Sequence, residues 1–258
     1  NTKHNKICRI VGKNREEKML ENIEFRVKYS DVKEDLTISW ESLEDMLQEA
    51  AILDYDQYGY GIEGRKQNHT AFLLLYLKIN MIELPKWNEM ITIRTWCNEL
   101  DKIYCYRNYE IINNQKQVIG TAFNKLLVYD LENKRPKKID EQLSNNLELY
   151  HKFIYDNHAN KYNKIEHLEE QQTTNTEYFK IQKHDIDING HVNNVKYIDF
   201  AQNTIEPINN AHNLDACYQK EITELNTIKC DTYKENKDWI VEIKSKEESK
   251  THAIIKFY

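Results

Sequence analysis

The sequence predicts an α+β protein in which one unit, a strand followed by a long helix and an antiparallel meander, occurs twice. Three observations carry this. Residues 40–54, "WESLEDMLQEAAILD", place Leu43, Met46, Leu47, Ala50 and Leu53 on one face of a helix. That helix stands between the alternating strand "IEFRVKY" (residues 23–29) and a series of runs with strand periodicity. The same order then returns after residue 175, which makes two copies of one unit the economical reading. A helix wrapped by an antiparallel sheet buries its apolar stripe without needing a second helix layer.

Taken in order, residues 1–21 form a polar leader and residues 22–139 the first domain. Ser39 and Ser42 are the expected caps of its helix. Strands are expected over residues 69–82, 90–97, 103–112 and 117–129, with "NNQK" (113–116) as a hairpin turn and "LENKRPKK" (131–138) as a loop. Residues 140–174 are polar and free of Gly and Pro, and read as a linker with a helix over "EQLSNNLELYHKFI". Residues 175–258 form the second domain: strand "TEYFKIQ", a polar turn, helix "VNNVKYIDFAQNTI", then strands near 217–223, 226–233, 238–245 and 251–258. The stretch "EFRVKYSDVKED" can be laid on "EYFKIQKHDIDING" as the start of each copy.

The chain has 258 residues, 40% apolar and 11% aromatic, enough for a substantial core. A formal net charge of -6 argues against a general affinity for nucleic acid. The longest apolar run, residues 71–77, is far shorter than a membrane-spanning helix requires, and the polar start does not resemble a signal peptide. Cys8, Cys97, Cys105, Cys217 and Cys230 show no paired spacing, which fits a reducing, cytoplasmic setting. No membrane partner and no cofactor are expected.

The chemistry concentrates in "DIDINGHVNNVKYIDF", residues 185–200, where carboxylates, an amide, a glycine and a histidine stand just ahead of a helix. A helix start exposes unpaired N–H groups and the positive end of the helix dipole, and so can hold an oxyanion. Gly190 lets backbone approach a substrate, Asn189 can hold a water or a carbonyl, Asp187 can orient a donor or accept a proton, and His191 titrates nearest neutrality. Ordinary helix capping is the plain alternative. A metal site at His184, Asp185, Asp187 and His191 is another, without supporting spacing, so no metal is expected.

The pattern Asp187-x-Asn189-x-His191-Val192-Asn193-Asn194-x-x-Tyr197 resembles the signature of plant and bacterial acyl-acyl-carrier-protein thioesterases, and "IRTW" (93–96) extends the likeness into the first domain. The resemblance implies two tandem hot-dog domains, catalytic residues in the second and an acyl pocket largely in the first, where Met46 and Leu47 are candidate lining residues. It implies hydrolysis of acyl-acyl carrier protein to free fatty acid, ending chain elongation, with the carrier protein as partner. An acyl-CoA thioesterase and an inactive acyl-binding hot-dog protein are the alternatives, and a homodimer is a candidate assembly.

Relatives carry a glutamate in a later strand of the second domain, and in "QKEITE" Glu221 takes that place, with Glu224 as its rival. Plant members commonly follow it with cysteine; here Ile222 stands there. Water attack with Glu221 as base and His191 as partner is then the simplest chemistry, and direct attack by Asp187 the other. The first domain's turn, "SDVKEDLTISWE", has no histidine, so one active site per chain is expected. Docking of an acidic carrier would need local basic residues, for which Lys134, Arg135, Lys137, Lys138, Lys183 and Lys220 are candidates.

Overall fold

The computed structural model describes residues 21–155, 165, 173–205, 211–247 and 250–258. The polar leader lies outside the described residues except for its last position, as does most of the linker after residue 155. The chain divides into two compact units, Asn1–Leu73 with Met81–Ala159, and Leu74–Asn80 with Asn160–Tyr258.

In the first unit, β1 (Glu21–Arg26) leads through a short 3-10 turn (Tyr29–Asp31) to α1 (Trp40–Gln57). The side chain of Ser39 accepts from the Ser42 N–H at 3.1 Å, so the expected cap forms and satisfies one of the helix's orphan donors. α1 buries Leu43, Met46, Leu47 and Ala50 and packs on β1 and on β3 (Met90–Asp101). The helix α2 (Ile62–Asn68), which the periodicity did not indicate, precedes β2 (Thr70–Met81). β4 (Tyr104–Ile112), β5 (Val118–Asp130) and the short β6 (Arg135–Pro136) complete the meander. The order β1-β3-β4-β5 is antiparallel throughout, with β6 on β5. Ile23, Ile93 and Ile111 lie side by side across β1, β3 and β4, each fully buried, a row contributing ~1.5–3 kcal/mol per side chain.

The helix expected over the start of the linker is short: α3 (Glu141–Asn146), capped by the Asp140 carboxylate on the Leu143 N–H at 2.8 Å. It stops because the following chain is used elsewhere. Among the described residues β1 pairs with β3 from Arg26↔Met90 to Glu21↔Thr95, and the chain after α3 lies along the edge of β3 beyond that. Leu149 bridges to Cys97, the Tyr150 N–H donates to the Cys97 carbonyl at 2.9 Å, and Trp96 Nε1 donates to the Lys152 carbonyl at 2.9 Å. Backbone groups thus find strand partners where helical ones were expected.

In the second unit, β7 (Asn175–Lys180) and a 3-10 turn (Lys183–Asp185) lead to α4 (Asn194–Gln202), followed by β8 (Asn213–Tyr218), β9 (Thr227–Glu235), β10 (Asp238–Ser245) and β11 (Thr251–Phe257). Residues 76–80 of β2 pair with β8, and the order continues β8-β11-β10-β9-β7, antiparallel. Leu77, Ala216, Ile255, Val241 and Thr232 form one fully buried row across it. Thr232 Oγ1 donates to Thr204 Oγ1 at 3.0 Å just past α4, so this is the face the helix covers.

The strand expected near residues 217–223 lies earlier, at Asn213–Tyr218. The N–H groups of Gln219 and Lys220 both turn onto the carbonyl of His252, at 2.8 and 3.1 Å, which closes the ladder and releases residues 221–226 from the sheet. Glu221 therefore sits on a loop rather than in a strand. No helix among the described residues is long and apolar enough to cross a membrane.

Candidate functional site

The turn before α4 is held by its buried acid. Asp185, 4% exposed, accepts the Gln182 N–H at 2.7 Å, and its carbonyl accepts the Asn193 N–H at 2.9 Å. Ile186 and Val192 bridge as a miniature antiparallel pair, so residues 187–191 form a tight loop between them. Within it the Asp187 N–H donates to the His191 carbonyl at 2.7 Å and the Gly190 N–H to the Asp187 carbonyl at 3.1 Å. Gly190 has φ 80, and a Cβ there would meet nothing within 4 Å. Glycine suits that left-handed backbone, and the space beside it is open.

The Asp187 carboxylate is an acceptor for the loop itself. Oδ1 takes the N–H groups of Asn189 at 2.7 Å and His191 at 3.3 Å, while Oδ2 takes Asn189 Nδ2 at 2.8 Å. Two of these three bonds hold Asn189, whose side chain is exposed.

His191 Nε2 lies 3.3 Å from Glu221 Oε2. The neighbours of both residues are tied together: the Val192 N–H donates to the Ile222 carbonyl at 2.8 Å, and the Ile222 N–H donates to the Tyr197 hydroxyl at 3.1 Å. Tyr197 is 2% exposed, and burial with the nearby Glu221 and Asp187 carboxylates drives its phenol upward, so it stays protonated. On the other side His252 Nδ1 donates to the Lys220 carbonyl at 3.1 Å. Tyr197 and His252 therefore position the glutamate's loop. Spacing gave Tyr197 a place in the motif but no role, and nothing near His252 in the sequence pointed to it.

The α4 N-terminus has few donors to spare. Asn193 caps it, its Oδ1 accepting the Val195 N–H at 3.3 Å and its carbonyl the Lys196 N–H at 2.9 Å. With the N–H groups of residues 189–193 also committed within the chain, Asn194 N–H is the donor at the helix start that faces no acceptor among the described residues. Glu224, the alternative base, instead accepts Asn226 Nδ2 at 2.6 Å.

The first unit builds the same loop with other side chains. Lys28, Asp31, Lys33, Leu36, Thr37, Ile38 and Ser39 repeat the bonding of Gln182, Asp185, Asp187, Gly190, His191, Val192 and Asn193. The Lys28 N–H donates to the Asp31 carboxylate at 2.8 Å, the Lys33 N–H to the Thr37 carbonyl at 2.9 Å, and the Ser39 N–H to the Asp31 carbonyl at 2.8 Å. Even the last contact recurs, the Ile38 N–H donating to the Pro85 carbonyl at 2.8 Å. Where the second unit has Asp187, Gly190 and His191 the first has Lys33, Leu36 and Thr37, so the backbone is duplicated and the titrating chemistry is not.

Met46 and Leu47 are both buried on α1, at 5% and 1% exposure. Among the basic residues, Lys137 is drawn inward onto Thr70 Oγ1 at 2.9 Å and Asp140 at 3.7 Å. Among the described residues no group of three or more His, Cys, Asp or Glu side chains is placed to hold a metal ion.

The model of the acyl-ACP thioesterase N-terminal domain matches residues 17–147, and that of the acyl-ACP thioesterase C-terminal domain matches residues 167–257. The oleoyl-acyl carrier protein thioesterase 2 of Arabidopsis thaliana is 23% identical over 194 residues, 70% of this chain and 53% of that protein. A palmitoyl-acyl carrier protein thioesterase of Gossypium hirsutum is 24% identical over 216 residues, 80% of this chain and 52% of that one. The chain thus spans about half the length of the curated relatives it matches. Among solved structures, an acyl-ACP thioesterase from Bacteroides thetaiotaomicron superposes with a TM-score of 0.80 at 20% identity, covering 94% of this chain and 98% of that one. The 12:0-ACP thioesterase of Umbellularia californica gives 0.78 at 13% identity, covering 93% and 96%. The fold is α+β of the hot-dog type, and with both domain models matched in order along most of its length, the chain belongs to the acyl-ACP thioesterase family.

Proposed function

We propose that this chain hydrolyses the thioester of an acyl-acyl carrier protein, releasing a free fatty acid and the carrier's thiol. The observation that carries this reading is the His191–Glu221 pair at 3.3 Å, set beside an Asn189 side chain that Asp187 holds in place. The thioester carbonyl lies against Asn189 and the Asn194 N–H. Glu221 takes a proton from water as its oxygen attacks the carbonyl carbon, and the tetrahedral oxyanion is held by those two donors. Collapse breaks the C–S bond, and His191 gives its proton to the departing sulfur. Transfer from Glu221 Oε2 to His191 Nε2 then restores the starting state, so water is consumed and one acid and one thiol are formed.

The second domain cleaves in this reading, while the first, whose loop lacks the titrating residues, selects the acyl chain through α1, with Met46 and Leu47 against it. Acyl carrier protein is the partner, and the free thiols of Cys97, Cys105, Cys217 and Cys230 suit a reducing compartment such as the cytoplasm. The test is thiol release from acyl-carrier and acyl-CoA substrates of the same chain. Faster turnover of the CoA form would move the assignment to an acyl-CoA thioesterase. Binding of acyl chains with no thiol released would make the protein an acyl-binding one.

A further inference from the structure

Cys97 on β3 and Cys105 on β4 are free thiols eight residues apart in sequence, and their sulfurs lie 3.1 Å from one another. The register explains the meeting. Cys97 stands opposite Arg107, and Cys105 follows Arg107 by the period of the pleat, so both cysteines point to the same face of the sheet. The bulge between Cys97 and Glu99 re-aims the side chains beside it. That face is the one α1 covers, since the Tyr55 hydroxyl in the last turn of the helix lies 3.3 Å from the Cys105 sulfur. Both cysteines are buried, Cys97 at 2% exposure and Cys105 at 0%.

The two sulfurs are not equivalent. Burial by itself raises a thiol, but at Cys105 the hydrogen bond from Cys97, the Arg107 guanidinium and the Tyr55 hydroxyl outweigh it and hold the group below the ordinary thiol range. The same hydrogen bond, together with burial, holds Cys97 protonated. Burial keeps Tyr55 protonated as well, so its O–H is there to donate. A nucleophilic sulfur thus stands beside a protonated one that is close enough to resolve it. A disulfide sets its sulfurs ~2.05 Å apart, so closure asks them to approach by roughly 1 Å.

We propose that Cys97 and Cys105 form a redox couple that closes to an intrachain disulfide on reaction with a small peroxide, and that closure alters the seat of α1. The Cys105 thiolate attacks one peroxide oxygen and the O–O bond breaks, leaving a sulfenic acid and, once the departing hydroxide is protonated, water. The Cys97 thiol then attacks the sulfenic sulfur, the S–O bond breaks and a second water leaves. Two thiols are oxidised to one disulfide and the peroxide is reduced. With the thiolate gone, the Tyr55 hydroxyl loses its acceptor under the end of α1. The effect on substrate rests on the reading of the first unit as the acyl-selecting one; the disulfide does not.

The experiment treats reduced protein with hydrogen peroxide or with glutathione disulfide, then alkylates, digests and maps it by mass spectrometry. Peroxide should join the Cys97 and Cys105 peptides and remove two hydrogens from the intact mass, and dithiothreitol should restore both. Glutathione disulfide, too bulky for a buried pair, should react at least ~10-fold more slowly. Cys97→Ser should abolish the cross-link, while Cys217→Ser with Cys230→Ser should keep it. In kinetics on an acyl-carrier thioester, oxidation should raise KM by about threefold or more and leave kcat in place, because the His191–Glu221 pair lies in the other unit. Cys97→Ser should remove that response to peroxide. Thiols that stay reduced in peroxide, or a disulfide formed through another cysteine, would overturn the couple. A cross-link that leaves KM unchanged in an active enzyme would overturn the effect on α1. A cross-link in a protein that cleaves no thioester would overturn the hydrolase reading and leave the couple standing.

Discussion

His191 Nε2 and Glu221 Oε2 stand 3.3 Å apart, and the backbone bond from Val192 to Ile222 at 2.8 Å ties together the two loops that carry them. The rival carboxylate, Glu224, is bound to its neighbour Asn226. Glu221→Gln should therefore lower turnover by ~10²-fold or more, while Glu224→Gln stays within a few-fold of wild type. Steady-state kinetics on an acyl-carrier thioester checks this, and the reverse ranking would make Glu224 the base.

Asp187→Asn tests the orienting role. The introduced amide keeps one acceptor, but its Nδ2 would face Asn189 Nδ2, donor against donor, at the 2.8 Å contact that now aims the side chain. Turnover should fall ~10²-fold with circular dichroism unchanged, and His191→Ala should do at least as much. If Asp187 were a nucleophile, quenched wild-type reactions would contain an acyl-aspartate anhydride, and none is expected.

The cysteines are silent in this scheme. Burial, with Asp231 and Glu177 nearby, pushes the Cys230 thiol up to about 12, so almost no thiolate exists at neutral pH. Cys217 packs against the cluster of Ile165, Tyr233, Ile240 and Ile254. Cys217→Ser and Cys230→Ser should each keep most of the activity. A covalent acyl-cysteine trapped at either position would replace the water mechanism with a thiol one.

How far these assignments could be read from the sequence depends on whether a local pattern or a distant partner fixes each residue. The helix α1, the four strands β2 to β5 and the last three strands, β9 to β11, announce themselves by period, because burial on one face dictates spacing. The loop carrying Asp187, Asn189, Gly190 and His191 is equally local, since its bonds stay within residues 182–193. Glu221 was placeable only by resemblance, and in a strand, since the bifurcated bond onto His252 that ends β8 comes from a strand much later in the chain. For the same reason the helix after Asp140 was overread: the contacts that tie Leu149 and Tyr150 to Cys97 on β3 have no trace in their own composition. Glu44 is the clearest case, a charged residue at a helix position that propensity allows and only the tertiary structure reveals as buried.

Glu44 makes stability depend on pH in a definite direction. Its carboxyl is raised in the folded state from an ordinary value of 4.5. Below that pH both folded and unfolded chains hold the proton, and burial costs little. Above it the unfolded chain releases the proton while the folded one retains it, so the unfolded state is favoured progressively until the raised folded value is passed. Glu44→Met, of similar volume and without the ionisable group, should melt higher than wild type, with the gap widening as the pH rises above 4.5. Calorimetric scans across that range check this, and a gap independent of pH would show that Glu44 ionises freely in the folded protein.

Chain-length selection is the last consequence of assigning the acyl chain to the first unit. Met46 and Leu47 lie next to each other on the buried arc of α1, at 5% and 1% exposure, so one substitution at either position alters interior volume without touching the His191–Glu221 site. A buried CH₂ contributes ~0.8 kcal/mol, so a pocket shortened by one or two carbons should shift preference by about tenfold. Met46→Trp should be the better tolerated, since an unbranched thioether fills irregular space while Leu47 is fully enclosed and its enlargement costs ~1–3 kcal/mol in strain. Hydrolysis of a graded series of acyl-carrier thioesters should move toward shorter chains in at least one of the two variants, with the shortest substrates still cleaved at near the wild-type rate. If both variants fold and neither changes the profile, while substitutions at Val195 and Ile198 on α4 do, the acyl chain is housed by the second unit and the division of labour is reversed.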